Sequence, residues 1–350
     1  MRSPLAVFTL AFILYCGVST VFHMIGSEVP EGSVAQSGAL VISWFCLLSV
    51  GAFMDINNPK FQKVLVMSWL AMASVVLIYV QGLHFIPREI FDTKKEFASY
   101  QGFSRSFVFA SMVLLALQKT TWQRAILAAF SIAIAFLMAA RSELVALIFA
   151  VALVEFIRAS RTPQGLTLLA IACLLAGLLP FILDYGALTE SRQMQLLDLS
   201  KSSSWSTRTE YATSAWEQIV ASPISGQFGG HFLVGTPDGG SYAHNALSCW
   251  VSFGLIGFVL YIGIAVATTI VSLVGFFRSM DSEWQLSLYL NASSLLMIVF
   301  AKPVFWPFIA LGWGLCIAKS SKRKAPRHAP FRSPLANIAA TRARLSDSHA

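Results

Sequence analysis

His244 and Asn245 stand side by side between a polar, glycine-punctuated stretch and a long apolar run. An imidazole titrates near neutrality and can take a proton from a weak nucleophile; a positioned base of this kind contributes about 10²–10⁴-fold to a rate. Asn245 has two uses, orienting a hydroxyl or capping the helix that the apolar run must form, and Asn is a strong cap. Upstream on the same polar stretch lies Arg208, followed by Glu210 and Tyr211. Thr207 and Glu210 have the spacing of a capping box, which makes Arg208 the first residue of a helix. A cation there opposes the helix dipole, which favours anions at this end by about 0.3–1 kcal/mol. Together with the free N–H groups of a first turn, a guanidinium would make an anion site. The plainer alternative is a surface arginine paired with Glu210 or Asp198. Arg141 is a further cation, in Ala139-Ala140-Arg141-Ser142-Glu143 between two apolar runs. A charge at the centre of a membrane span costs about 2.5–3.5 kcal/mol and less near its ends. Arg141 is therefore either functional or a snorkelling side chain paired with Glu143. His231 is a weaker rival to His244, and His23 and His84 are read as interfacial.

The elements that position these groups are membrane spans. The chain is 56% hydrophobic and only 12% charged, against roughly 25% charged residues in soluble domains, which excludes an ordinary soluble enzyme. Its sequence reads as an all-α integral membrane protein. Apolar runs of spanning length, about 17–25 residues or slightly shorter, occur about ten times: 5–24, 37–54, 62–82, 103–118, 124–140, 142–158, 165–184, 246–277, 285–301 and 303–319. The first lacks a small-residue cleavage site and reads as a signal anchor. The chain thus divides into a seven-span region, 1–184, one large polar loop, 185–245, a three-span region, 246–319, and a basic disordered tail, 320–350. A connection as long as that loop exceeds the roughly 12–15 residues usual for structureless segments, so it must carry structure and function. Tyr211, Ala212, Ala215, Trp216, Ile219 and Val220 recur at helical spacing. They predict an amphipathic helix lying on the membrane surface and ending at Ser222-Pro223.

Basic residues orient the chain. With the N-terminus inside, sixteen of the 25 Lys and Arg residues fall on the cytoplasmic side, including the tail with Lys322-Arg323-Lys324. Both termini are then cytoplasmic and the large loop is periplasmic. The basic balance follows from topology, not from nucleic-acid binding. The tail could touch anionic lipid heads, or be simply solvated. Five cysteines lie in or beside spans, with no Cys-x-x-Cys, and support neither a disulfide framework nor a zinc site. The loop glycines, from Gly226 to Gly240, form no Gly-x-Gly-x-x-Gly and no Gly-Lys-Ser, so nucleotide binding is unsupported. Gly254 and Gly257 are read as close-packing positions in the eighth span.

The order Arg208-Thr-Glu-Tyr-Ala-Thr-Ser-Ala-Trp216, Ile219, Pro223 and Gly226, then His244-Asn245 ahead of Gly254-Leu-Ile-Gly257, resembles the shared signature of the O-antigen ligase and Wzy-type O-antigen polymerase superfamily. Ala140-Arg141-Ser142 is similar to the family's Ser-Arg element, with Ala140 where serine is usual. Gln227-Phe228-Gly229 stands where the family carries a tighter Gly-x-Gly. The specific match covers about a sixth of the chain. The resemblance implies a GT-C-like glycosyltransferase of the bacterial inner membrane with a periplasmic active site. Its donor would be an undecaprenyl-diphosphate-linked glycan, its acceptor a glycan hydroxyl, with no metal, nucleotide or other cofactor. Membrane lipid, a chain-length regulator and other polysaccharide-assembly proteins are the implied partners. His244, Arg208 and Arg141 become the expected catalytic residues, and Asn245, Glu210 and Tyr211 the expected substrate-binding ones. The expected activity is polymerisation of O-antigen or exopolysaccharide repeat units; a ligase that transfers glycan to lipid A core is the close alternative. A transporter or flippase is the alternative of another class. It would carry ionisable residues or broken helices near the midplane, whereas here Glu155 lies near an inner end at i,i+3 from Arg158.

Overall fold

The computed structural model describes residues 3–26, 29–30, 32–81, 84–85, 100–138, 140–161, 203–233 and 243–324. Its helices, in chain order, are α1 (Pro4–Gly26), α2 (Ser33–Phe53), α3 (Pro59–Tyr79), α4 (Tyr100–Leu117), α5 (Thr121–Leu137), α6 (Arg141–Ala159), α7 (Ser203–Ala221), α8 (Leu247–Ser279), α9 (Ser282–Phe300) and α10 (Ile309–Lys324). A two-residue antiparallel contact, Val80–Gln81 with His84–Phe85, follows α3. The expected span 165–184, the first part of the polar loop and the tail beyond Lys324 lie outside the described residues.

Local chemistry fixes several helix starts. Asn58 caps α3, its Oδ1 accepting from the backbone N–H groups of Lys60 and Phe61, with Pro59 at the first helical position. Thr120 accepts from Gln123 N at the start of α5, and Asp281 from Trp284 N at the start of α9. Such caps satisfy donors that have no partner inside the helix. Two boundaries differ from the sequence reading. The stretch from residue 303 is a turn, not the start of a span, because Pro303 and Pro307 withhold the N–H groups that a helix interior needs. At the other end α10 continues past Ser320 to Lys324, with Ser320 and Ser321 hydroxyls donating to Cys316 O and Ile317 O.

Among the described residues four helices, α1, α2, α3 and α8, are long and apolar enough to cross a membrane; α4 and α5 are apolar but shorter. Their outer faces are greasy: Phe53 is 87% exposed, Ile25 79% and Ile78 72%. A soluble protein rarely displays a continuous apolar surface of this kind. The architecture is that of a helical membrane protein. Its interior is built in two parts. Phe12, Trp44, Tyr261 and Trp313 knot α1, α2, α8 and α10 together, with neighbouring ring centroids 4.9–6.2 Å apart. The second part gathers α3, α4, α5, α6 and α9. Between them, α9 is buried on all sides from Trp284 to Ser294. That enclosure explains its polarity. Asn291 Nδ2 donates to Ser287 O and Gly312 O, and so bonds across to α10 rather than facing lipid. The tightest crossing is α2 with α10: a Cβ on Gly51 would lie 2.1 Å from Leu311 O, and one on Gly314 2.0 Å from Leu48 O.

Because consecutive helices reverse direction, their ends collect at two poles. One pole carries the caps of α3, α5 and α9, and Arg124, Glu155 and Arg158. The other carries the start of α4, α6, α8 and α10, the polar stretch with α7, and His244.

Candidate functional site

At the His244 pole, α8 is broken. Gly254 has φ 67° and ψ −174°, a backbone conformation that side chains with a Cβ rarely adopt. The break frees backbone groups, and the turn after α7 takes them up. Gln227 N donates to Val251 O at 2.7 Å, Leu255 N donates to Ile224 O at 3.2 Å, and the Trp250 indole donates to Pro223 O at 2.7 Å. Tyr15 of α1 donates its hydroxyl to Phe253 O at 2.8 Å. The fit allows no side chain: a Cβ on Gly254 would stand 2.1 Å from Ile224 O, and one on Gly226 2.6 Å from Gly254 N. Gly254 is thus a docking point for the loop, not a helix-packing position. Above the clamp, Ala215 and Ile219 of α7 are buried against Val251, with Ala243 in the same small core. The remaining apolar edge of α7, Trp216 and Val220, is exposed.

This packing brings Arg208 close enough for its charge to act on His244. Helix α7 begins at Ser203, so Thr207 and Arg208 lie inside it and Thr207 is no cap. The sequence from Ser203 to Thr207 contains no proline or glycine to stop the helix from extending backwards, and the capping-box spacing is overridden. Arg208 therefore acts as a side chain on a helical face, without the N–H groups of a first turn. Tyr211, one turn on, places its ring centroid 6.3 Å from that of His244. Burial pushes the His244 imidazole down to about pKa 4, with the charges of Arg208 and Lys302 adding to the effect. His244 is thus a neutral imidazole whose charged form is disfavoured by burial and by the charges of Arg208 and Lys302. Asn245 caps α8: its Oδ1 accepts from Leu247 N at 3.0 Å, and its carbonyl accepts from the Ser248 hydroxyl at 2.7 Å. Glu210 is exposed on α7. Behind Tyr211 runs a narrow polar cleft between α7 and α8, lined by Ser214, Gln218, His231, Ser248 and Ser252. Gln218 Oε1 and Ser252 Oγ are buried there with no hydrogen-bond partner among the described residues.

The turn between α9 and α10 completes this pole. Lys302 Nζ lies 2.8 Å from Glu143 Oε1, and Arg105 Nη2 3.8 Å from the same oxygen. Val304 N donates to Ser248 Oγ at 2.7 Å, which ties the turn to the first turn of α8. The Arg105 guanidinium lies over the rings of Trp306 and Phe308, 5.8 and 4.8 Å from their centroids. Burial lowers the Lys302 pKa while Glu143 works to raise it. Glu143 is taken up by Lys302 and Arg105, so the expected ion pair with Arg141 is not what engages its carboxylate. Arg141, half-buried, opens α6 two residues before Glu143, at the same pole.

Of the expected site residues, His244, Arg208 and Tyr211 come together, and Arg141 shares their end of the molecule. Asn245 is occupied as a cap. His231 is a packed core histidine, its Nε2 2.8 Å from Gln36 Oε1 and its ring against Phe232 and Phe305; burial pushes it down to about pKa 4. His23 stacks on Phe228 at 4.7 Å, and the side chain of His84 lies outside the described residues. Sequence reasoning missed Lys302, Glu143 and Arg105 as one cluster. Its signal was a lone lysine in Phe300-Ala-Lys-Pro-Val-Phe-Trp306, an otherwise apolar segment. Compared with known proteins, the chain matches no family model and no curated sequence.

Proposed function

We propose that this chain is a multi-pass glycosyltransferase that polymerises lipid-diphosphate-linked polysaccharide repeat units at the outer face of a bacterial inner membrane. The observation that carries the reading is the meeting of His244, Arg208 and Lys302 at one pole of an apolar helical bundle. A neutral base beside cations suits transfer from a diphosphate to a hydroxyl. The acceptor oxygen attacks the anomeric carbon, the bond from that carbon to the phosphate oxygen breaks, and the lipid diphosphate leaves. His244 takes the acceptor proton. Arg208 and Arg141 stabilise the charge that develops on the leaving group, which is electrostatic catalysis by fixed donors. Alone, the cations depress the basicity of His244; an anionic diphosphate between them offsets that field and strengthens the base.

Ten spans, the N- and C-termini in the cytoplasm and a periplasmic site belong to the same proposal. They are supported by the segregation of Arg124, Arg158, Arg161, Arg278 and Lys319 to the pole opposite His244. Purified protein incubated with polyprenyl-diphosphate-linked repeat units should yield longer glycans without added nucleotide sugar. His244→Ala should lower that rate by about 10²–10⁴-fold at unchanged protein level and membrane insertion; full activity would remove His244 from the mechanism. Arg208→Lys should also fail, because an ammonium cannot replace a bidentate guanidinium. A strain lacking the polymerase should carry single repeats on its acceptor, whereas a strain lacking a ligase should carry none.

A further inference from the structure

Lys302 and Glu143 are an unusual pair for the end of a helical bundle. Lys302 is only 7% exposed and Glu143 only 2%. Glu143 is the one buried carboxylate among the described residues. It serves two cations at once, Lys302 at 2.8 Å and Arg105 at 3.8 Å, and its other oxygen accepts from the Ser142 hydroxyl at 2.7 Å. Among the described residues, one buried carboxylate thus faces two cations, Lys302 buried and Arg105 partly exposed, and the charge of Arg208 acts on Lys302 as well. Two cations around one carboxylate, partly withdrawn from water, favour the arrival of a further anion.

The cluster is also held in place. The turn carrying Lys302 is fixed to α6 through Glu143, to α4 through Arg105 on Trp306 and Phe308, and to α8 through Val304 N on Ser248 Oγ. Ser248 itself bonds to Asn245 O, and so a continuous path of hydrogen bonds runs from the lysine's turn to the residue after His244. Rigid cations beside a base, rather than mobile surface lysines, make a preorganised anion subsite. A single carboxylate occupies one of its positions.

We propose that Lys302, steadied by Arg105, is a binding residue for a diphosphate group, and that Glu143 is the internal counter-ion that holds Lys302 when the diphosphate is absent. The inference rests on the glycosyl-transfer reading for its ligand class and adds to it a cation outside the Arg208–Arg141 pair. Lys302 exchanges its carboxylate partner for a phosphate oxygen, and the anion then bridges Lys302 and Arg208.

The test is binding to the purified protein in detergent, with inorganic pyrophosphate, polyprenyl diphosphate and polyprenyl monophosphate as separate probes, alongside glycan extension. Lys302→Gln should weaken both diphosphates at least tenfold and the monophosphate much less. Lys302→Arg should restore most of the preference. The double variant Lys302→Gln/Glu143→Gln removes the buried carboxylate left behind, and it should fold like the parent yet still lack the preference. If Lys302→Gln and the double variant bind all three probes as the parent does while glycans are still extended, the Lys302 assignment falls and the function stands. Lys302-dependent pyrophosphate binding with no glycan extension by the parent keeps the anion subsite and overturns the function. A parent that binds no diphosphate overturns both.

Discussion

The imidazole of His244 works against its own neighbours. Burial, Arg208 and Lys302 all disfavour its charged form and bring its pKa down to about 4, well below the usual value near 6.5. The free protein therefore keeps His244 as a neutral base at every pH above about 4. Protons compete only below that point, so kcat/KM, which reports the free enzyme, should hold level down to about pH 4 and then fall. A bound diphosphate favours the imidazolium and raises the pKa, so kcat, which reports the complex, should begin to fall at a higher pH than kcat/KM. Pyrophosphate-type charge is the cause, and a pH–rate series with a lipid-linked donor measures both limbs. Coincident limbs near pH 6.5 would mean that neither burial nor the charges of Arg208 and Lys302 act on His244. The sequence marks His244 as the candidate base because it heads an apolar run within reach of the polar loop and titrates near neutrality. It was silent on Lys302, whose importance comes only from Glu143 and Ser248, residues distant in the chain.

The element that holds α7 beside His244, where the proposed chemistry would lie, is the clamp between the turn after α7 and the kink of α8. Both glycines of the clamp were visible in the sequence, yet their purpose was not. A glycine within an apolar run reads equally as a small contact surface or as a break, and backbone hydrogen bonds between Ile224, Gln227, Val251 and Leu255 leave no trace in side-chain pattern. The start of α7 differs for a local reason: a capping-box spacing is a weak preference, and with no proline or glycine from Ser203 to Thr207 the helix runs through it. Gly254→Ala should be severe, because a Cβ would stand 2.1 Å from Ile224 O and the residue would be held at φ 67°. Strain of this sort costs on the order of 1–3 kcal/mol, and here it would be relieved by undocking the turn. Glycan extension should drop at least tenfold, with the loop becoming more accessible to protease. Gly263→Ala, on the same helix with nothing within 4 Å of the added methyl, should be neutral or stabilising by about 0.5–1 kcal/mol. Equal damage from both would mean that α8 tolerates no alanine at all and that the kink is not special.

Across the whole molecule, charge is sorted to two poles with different uses. At one, Arg124 pairs with Glu155 at 2.7 Å and Arg158 bonds to Gln285, a network that joins α5, α6 and α9 and leaves the histidines far away. The expected Glu155–Arg158 contact is present at 3.9 Å as its weaker member. At the other pole, among the described residues, Lys302 and Arg105 share one buried carboxylate, Glu143. Apolar runs made the bundle legible from sequence because lipid-facing helices must be greasy all along one side. The enclosed α9 was legible only as another run, and its place at the centre followed from packing that no periodicity encodes. The two poles make topology testable. In a chain freed of its cysteines, Ser225→Cys at the turn after α7 and Asn57→Cys between α2 and α3 are both exposed. A membrane-impermeant maleimide applied to intact spheroplasts should label Ser225→Cys and leave Asn57→Cys untouched until the membrane is opened. The opposite pattern would put His244, Arg208 and Lys302 in the cytoplasm, where a donor displayed on the outer leaflet could not reach them, and transfer from such a donor would have to be abandoned.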